Sequence, residues 1–383
     1  MIPYGRQHIS EKDIQAVIAV LKSDWLTQGP TVPAFESALC TYTGANHAVA
    51  VNSATSALHL ACLALGLRPG ERLWTSPISF VASANCGLYC GAKVDFVDID
   101  PETCNISPVR LEEKLKNAER RGELPSVVVA VHMAGQCCDM AAIQKLADRY
   151  GFNVIEDASH AIGGTYSKQR IGSCKFSKIT VFSFHPVKIV TTGEGGAAIT
   201  NDETLARRMA RLRSHGITRD SVEMQGKPDG NWCYQQLDLG FNFRMTDIAA
   251  ALGISQLDSI DKFVARRHEL ALRYNKLLDN LPLRQITQLP GTESAWHLYI
   301  IQLDKGIDRK KVFDHLRAKD IGVNVHYIPI HLQPFYRQLG FKPGDFPIAE
   351  AYYAAAITLP LFPDLTEDDQ NRVIASLKEA LQE

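Results

Sequence analysis

Several common catalytic signatures are missing from this 383-residue chain. There is no GxxxxGK[ST] loop and no GxGxxG after a strand pattern, so the two commonest glycine-rich nucleotide cradles are excluded. HExxH is absent, and no Cys or His spacing suits zinc. The nine cysteines are scattered with no CxxC pair. Cys137 and Cys138 are adjacent, which fits neither an ordinary disulfide nor a zinc knuckle, so free thiols are expected. A charge excess is also lacking: 41 Lys and Arg against 42 Asp and Glu leave a net charge of −1. A general polyanion binder shows a basic excess, so no nucleic acid partner is expected, although one local basic patch is still permitted. No run approaches the roughly 18 apolar residues of a membrane helix, and the N-terminal residues Met1 to His8 contain no apolar signal core. Cytoplasmic residence without a membrane partner is the expectation. No 20–50-residue repeat is visible.

Hydrophobic residues make up 45% of the chain and charged residues 22%, ordinary for a globular protein. At about 100–200 residues per domain, the length suggests two domains. Between residues 45 and 200, short apolar runs alternate with helical patterns. Ala48–Val51, Val94–Val97, Val127–His132, Phe152–Ile155, Ile179–Phe184 and Ala197–Thr200 read as strands. The uninterrupted Val-Val-Val-Ala-Val of 127–131 suits a strand covered on both faces. Asp139 can cap a helix over 140–150, and Gly151 stands where a helix-ending glycine belongs. The alternation predicts an α/β fold, a mostly parallel sheet with helices on both faces. A long helical pattern covers 247–280. Strands at His297–Leu303 and Val323–His326, with helices capped by Asp308 and Thr366, then describe a smaller α+β unit. The expected division is residues 1–246, an N-terminal arm and large α/β domain, and residues 247–383, a connecting helix and small C-terminal α+β domain. Residues 216–240 read as a loop.

In such sheets ligands bind beyond the carboxyl ends of the strands, and four strand ends carry unusual residues. Asn52-Ser53-Ala54-Thr55-Ser56-Ala57 opens a helix with small hydroxyl residues, whose N–H and O–H donors suit an anion; a plain N-cap is the other reading, and both can hold. Glu156-Asp157-Ala158-Ser159-His160 puts two carboxylates at a sheet rim, and a buried one needs a cationic or hydrogen-bonding partner. Ser183-Phe184-His185-Pro186-Val187-Lys188 places a Lys five residues beyond a buried hydroxyl, and a lysine becomes nucleophilic when burial lowers its pKa. A solvated surface Lys is the ordinary alternative. The polar loop Thr191 to Gly196 follows. Lastly, Asn242 and Arg244 stand between apolar residues just before a helix, where Asn242 also serves as a turn former. Of the twelve His, His132, His160, His185 and His326 follow or end strands.

A phosphate cup, a rim carboxylate and a strand-end lysine together fit one cofactor, pyridoxal 5′-phosphate. It needs donors for its phosphate and a Lys for its aldehyde. An anion beside the pyridine nitrogen favours the protonated ring that accepts electrons.

These motifs resemble the DegT/DnrJ/EryC1/StrS sugar aminotransferases, within the fold type I pyridoxal phosphate enzymes. The matching stretches are Leu26 to Pro30, Asn52 to Leu58, Ser79 to Ala82, Glu156 to Ala161, Ser183 to Lys188, Gly193 to Gly196, Arg213 to Gly216 and Gly240 to Asp247. They occur in the family's order and span essentially the whole chain. The resemblance implies that Lys188 holds the cofactor and then shuttles a proton, that Asp157 pairs with the ring nitrogen, and that His160 lies near the ring hydroxyl with Phe80 stacked on the ring face. Ser53, Ala54, Thr55 and Ser183 would bind the phosphate. Asn242 would reach it from a neighbouring subunit, so a homodimer with active sites at the subunit interface is expected. Tyr4, Trp25, Leu26 and Thr27, with Val325, His326, Tyr327 and Ile328, would contact a nucleotide-sugar.

Within the family, Thr27-Gln28-Gly29, the His of Ser159-His160-Ala161, and Val325 to Pro334 resemble the members that aminate C4 of UDP-2-acetamido-2,6-dideoxy-β-L-arabino-hex-4-ulose on the way to pseudaminic acid. L-glutamate is the usual donor of such relatives. A D-series 4-keto isomer or a UDP-4-ketopentose is the alternative substrate. A non-catalytic pyridoxal-phosphate regulator is disfavoured by the lack of an appended DNA-binding domain, and a dehydratase relative by Lys188.

Overall fold

The computed structural model describes residues 1–382. Its centre is a seven-stranded sheet in the order His47–Val51, Gly196–Thr200, Ile179–Ser183, Asn153–Asp157, Val127–Val131, Arg72–Thr75, Lys93–Phe96. Six strands run in one direction and Gly196–Thr200 alone runs against them. The mostly parallel α/β sheet is therefore present, with each expected strand within a few residues of its place.

Side chains on a strand alternate between faces, and the core divides accordingly. Val127, Val129, Val131, Ile155, Ile179 and Val181 belong to one buried cluster, shared with the helices Ala54–Ala64, Ala82–Tyr89 and Glu203–Arg213. Val128, Ala130, Val154 and Phe182 belong to another, under the helices Thr31–Thr43, Pro108–Arg121 and Met140–Tyr150. Burying both faces explains why the central strands are continuous hydrophobic runs. It also forces any polar residue at a strand end to choose a face.

A second sheet pairs Leu283–Gln285, Tyr299–Leu303 and Ala356–Leu359 in antiparallel order. The helices Arg309–Ala318 and Glu367–Gln382 take Asp308 and Thr366 as caps: Asp308 accepts from the N–H groups of Lys310 and Lys311, and Thr366 from that of Asp369. Ile2 packs into the core of this second sheet, so the N-terminal arm reaches across the molecule.

Three expectations need correction. Val323–His326 forms no strand; only Asn324 bridges, to Thr358. The Asn324 side chain accepts the N–H of Val325 at 2.8 Å and donates to His326 at 3.3 Å, so local side-chain bonds replace a ladder. The 247–280 pattern is two helices, Asp247–Leu257 and Ile260–Leu277, broken at Asp258-Ser259, two residues whose side chains favour caps over helix interiors. Residues 216–240 are not wholly loop, because Ile217-Thr218 pairs with Gln235-Gln236.

Asp247 explains two of the sequence motifs together. It is fully buried and accepts from the N–H groups of Gly29 at 2.8 Å, Thr31 at 2.7 Å and Val32 at 3.2 Å. Its own N–H donates to the Leu26 carbonyl, and Thr27 bridges Thr246. One carboxylate thus caps the helix Thr31–Thr43 and ties the 26–30 segment to the 240–247 segment.

Candidate active site

At the carboxyl end of the parallel strands lies a cavity of about 640 Å³. Ser53, Ala54, Thr55, Phe80, Asp157, His160, Ser183 and Lys188 line it, together with Tyr4 and the stretch Val325, His326, Tyr327, Ile328. Residues from six separate chain segments therefore converge on one space.

Ser53 caps the helix Ala54–Ala64, its Oγ accepting the Ser56 N–H at 3.1 Å. The first intrahelical bond to this turn runs from Ala57 to the Ser53 carbonyl, so the N–H groups of Ala54 and Thr55 precede the ladder. Gly196 lets the neighbouring strand press against this turn: a Cβ there would fall 2.4 Å from the Ala54 nitrogen. The cap and the anion cradle are one feature.

The strand Asn153–Asp157 sends its two final carboxylates to opposite faces. Asp157 opens into the cavity, with Oδ1 accepting from the Ser159 hydroxyl at 2.6 Å and Oδ2 from the Ser83 hydroxyl at 2.7 Å. Ser79 donates in turn to Ser83 at 2.7 Å, because the Ser83 proton is committed to the carboxylate. Glu156 faces the other way, against His132 at 2.8 Å, Ser177 at 2.5 Å and Thr180 at 3.3 Å. His132 Nδ1 accepts the Cys138 N–H, so its proton sits on Nε2 and is donated to Glu156.

Lys188 is buried, and desolvation brings its pKa down to about 8, against the opposing pull of Asp157. Its amine is therefore a free base in part near neutral pH and mostly so above about 8. Three imidazoles share the cavity. Burial, and then the charge of Lys188, pushes His160 well below its ordinary value and takes His326 down to about 3; burial, His160 and Lys188 do the same for His297. All three are neutral. His326 is locked as well: Nε2 accepts from the Asn324 amide, whose oxygen is held by Val325, so the proton lies on Nδ1 toward Thr358 at 2.8 Å. His326 has no free lone pair and presents its ring, not a base.

Residues 7–378 match the DegT/DnrJ/EryC1/StrS aminotransferase family. The chain belongs to that family. It is a sugar aminotransferase, and pyridoxal phosphate is the family's cofactor. A spore coat polysaccharide biosynthesis protein of Bacillus subtilis, SpsC, is 40% identical over 385 residues, covering 99% of this chain and 96% of its own. An uncharacterized protein of Methanocaldococcus jannaschii is 40% identical over 387 residues, covering 100% and 98%. Among solved structures, Helicobacter pylori PseC, an aminotransferase of pseudaminic acid biosynthesis, superposes with a TM-score of 0.90 at 32% identity, covering 100% of this chain and 99% of its own. A Streptococcus pneumoniae protein assigned as a sugar aminotransferase, in its PMP form, gives 0.91 at 29% identity over 100% and 99%. Its PLP form gives 0.90 at 28% identity over 100% and 98%. These fold type I relatives share the α/β sheet described above.

The cavity of this aminotransferase fits pyridoxal phosphate on its own chemistry. A buried lysine with a lowered pKa, a carboxylate fixed by hydroxyl donors, and free helix-start N–H groups open into one space. The buried Nδ1 of His160 has no hydrogen-bond partner among the described residues. Four expected residues lie elsewhere. Trp25, Leu26, Thr27 and Asn242 are exposed on this chain and do not line the cavity. Asn242 bridges Ser214.

Sequence reasoning gave no role to several lining residues. His297, Asn324 and Gln333 reach the cavity, and Ser79 and Ser83 stand behind Asp157. His297 carried no signal, as it lies two residues before the strand Tyr299–Leu303, far from every motif.

Proposed function

We propose that this aminotransferase moves the amino group of L-glutamate to C4 of UDP-2-acetamido-2,6-dideoxy-β-L-arabino-hex-4-ulose, forming UDP-4-amino-4,6-dideoxy-N-acetyl-β-L-altrosamine. The observation that carries the chemistry is Lys188, an amine with a pKa near 8 sharing one cavity with Asp157 and the Ser53–Thr55 turn. The substrate is supported by the likeness to PseC across the whole chain. When bound, pyridoxal phosphate supplies an aldehyde for amines and a ring that takes up the electrons left when a proton leaves carbon.

The residues divide that work. Asp157 would hold the pyridine nitrogen, and its anion favours the protonated ring. His160 would lie by the ring hydroxyl and Phe80 on the ring face. The helix-start N–H groups at Ala54 and Thr55, with the hydroxyls of Ser53, Thr55 and Ser183, would hold the phosphate. The Lys188 amine takes a proton from the donor's Cα as general base and returns it as general acid. Glutamate departs as 2-oxoglutarate, and the keto sugar then receives the nitrogen. Tyr4, Tyr327, Val325, Ile328 and the ring of His326 would form the sugar side of the site. Trp25, Leu26, Thr27 and Asn242, exposed on one chain, would complete the site of a second copy in a homodimer.

A second reading has its own support. SpsC is 40% identical, against 32% for PseC, and is named for spore coat polysaccharide biosynthesis, which favours another nucleotide-linked keto sugar. The protein, cofactor and glutamate should be incubated separately with the β-L-arabino 4-keto sugar, its D-series isomer and a UDP-4-ketopentose, and the amino-sugar detected by mass. The β-L-arabino substrate should be turned over fastest. Preference for another ketone would replace the substrate assignment, and no product from any of them would remove it.

A further inference from the structure

Behind His160 stands a layer that the proposed chemistry does not use. The His297 ring lies 4.5 Å from the His160 ring, inclined by 44°. Both are buried, and the Nδ1 of each has no hydrogen-bond partner among the described residues. The other nitrogen of His160, Nε2, meets the Tyr327 hydroxyl at 3.2 Å. With one polar contact only, the His160 ring owes its orientation largely to what packs on it.

The segment carrying His297 is braced strongly. Arg267 is 1% exposed and has no carboxylate partner among the described residues. Its Nη1 instead donates to the carbonyls of Trp296 at 3.2 Å, His297 at 3.2 Å and Leu361 at 2.9 Å. Buried arginines are rare and costly, so one devoted to three backbone carbonyls marks a segment whose placement matters. Gly135 closes the other side. A Cβ there would fall 2.9 Å from the Trp296 nitrogen, 3.0 Å from the His160 carbonyl and 3.1 Å from the His297 nitrogen. The backbones of His160 and His297 thus meet across a glycine, and Ala295 and Leu298 donate to the Gly135 and Ala134 carbonyls.

We propose that His297, held by Arg267, is a positioning residue that sets the orientation of the His160 ring toward the cofactor. The inference rests on the reading that His160 lies beside the cofactor's ring hydroxyl. His297 acts through ring packing, so an aromatic replacement keeps the function and an aliphatic one of similar bulk loses it. Arg267 acts one step further back through the His297 carbonyl.

The test uses the loaded enzyme with His297→Leu, His297→Phe and Arg267→Lys. It measures the visible absorption band of bound pyridoxal phosphate, the cofactor dissociation constant by spectral titration, and kcat and KM for glutamate. His297→Leu should shift the band, weaken cofactor binding and lower kcat roughly tenfold, as misplacement of a supporting contact does. KM for glutamate should stay within about threefold. His297→Phe should restore the band and most of kcat, and Arg267→Lys should shift the band in the same direction as His297→Leu. A wild-type band and kcat in His297→Leu would overturn the proposal, and so would equal defects in the Leu and Phe variants. If His297→Leu fails to fold, Arg267→Lys decides by the same band. A wild-type protein that takes up no pyridoxal phosphate would instead sink the cofactor assignment beneath it.

Discussion

Glu156 and Asp157 are neighbours in sequence, equally buried, and opposite in use. Glu156 points to the face where protein groups satisfy it: an imidazole and two hydroxyls. Asp157 points to the face where hydroxyls fix the carboxylate from behind and the front opens into the cavity with Lys188. A buried carboxylate is tolerated only when satisfied. The difference lies in who satisfies it, the protein in one case and the protein plus a ligand in the other. Structural and functional carboxylates are therefore told apart by what remains unfilled around them, not by burial.

That distinction is open to direct attack, and the cavity side should give the largest effect. Lys188→Ala removes the one lysine that lines the cavity. Turnover should fall on the order of 10⁴-fold, about 5.5 kcal/mol in the barrier, with loss of the bound cofactor's characteristic visible band. In the wild type, the rate at which apo-protein captures pyridoxal phosphate should climb with pH and level off above about 8, because the amine is the free base only above its pKa. An unchanged spectrum in the variant would take Lys188 out of the site.

On the other face the cost should appear in stability alone. His132→Ala strands the Glu156 carboxylate, and breaking a buried pair from one side costs about 3–5 kcal/mol. Burial pushes the Glu156 carboxyl up, but bonds from His132, Ser177 and Thr180 outweigh it and leave its pKa below the ordinary 4.5. Its contribution is thus present above the unfolded value and is lost as pH falls through the folded one. In His132→Ala the folded carboxyl rises toward its unfolded value, so that acid-side loss should shrink, read by urea melts across pH. Activity per folded molecule should stay normal. A catalytic defect at full folding would erase the contrast between the two carboxylates.

Asp157→Asn is the converse. The amide keeps the volume and some of the hydrogen bonds but removes the anion, so turnover should drop on the order of 10²-fold, about 2.7 kcal/mol, with the melt little changed. Near-normal turnover would contradict the electrostatic role.

How much of this was visible in the chain follows from the same two faces. The sheet was legible because burial on both sides writes uninterrupted runs such as Val127–Val131. Lys188, Asp157 and the Ser53–Thr55 turn were legible because each follows a strand at a spacing that resembles a known family. Which of two adjacent carboxylates serves the cofactor came from the family resemblance, which implies Asp157, although strand alternation also sends the two to opposite faces. The Val323–His326 strand failed because alternating polarity is also what a loop shows when Asn324 and His326 bond side chain to side chain. His297 and Arg267 were invisible for a different reason. Their meaning arises only when segments 135, 160, 267 and 297 converge in space, and nothing local marks them.

The smallest expected effect makes the finest test of the contrast. Ser83 donates to Asp157 and Ser177 donates to Glu156, one hydroxyl behind each carboxylate. Each alanine substitution deletes one hydrogen bond to a charged group, worth about 1.5–3 kcal/mol when buried. Asp157 keeps the Ser159 hydroxyl and N–H on its other oxygen, so Ser83→Ala should lie at the low end. Where that energy is felt should differ. In Ser83→Ala the carboxylate gains freedom at the oxygen that shares the cavity, so kcat should fall about tenfold while the melt moves little. In Ser177→Ala the same deletion lies across the sheet, so the melt should move and kcat should not. If both variants lost stability alone, Asp157 would be a structural carboxylate like its neighbour, and the cavity would have to find its anion elsewhere.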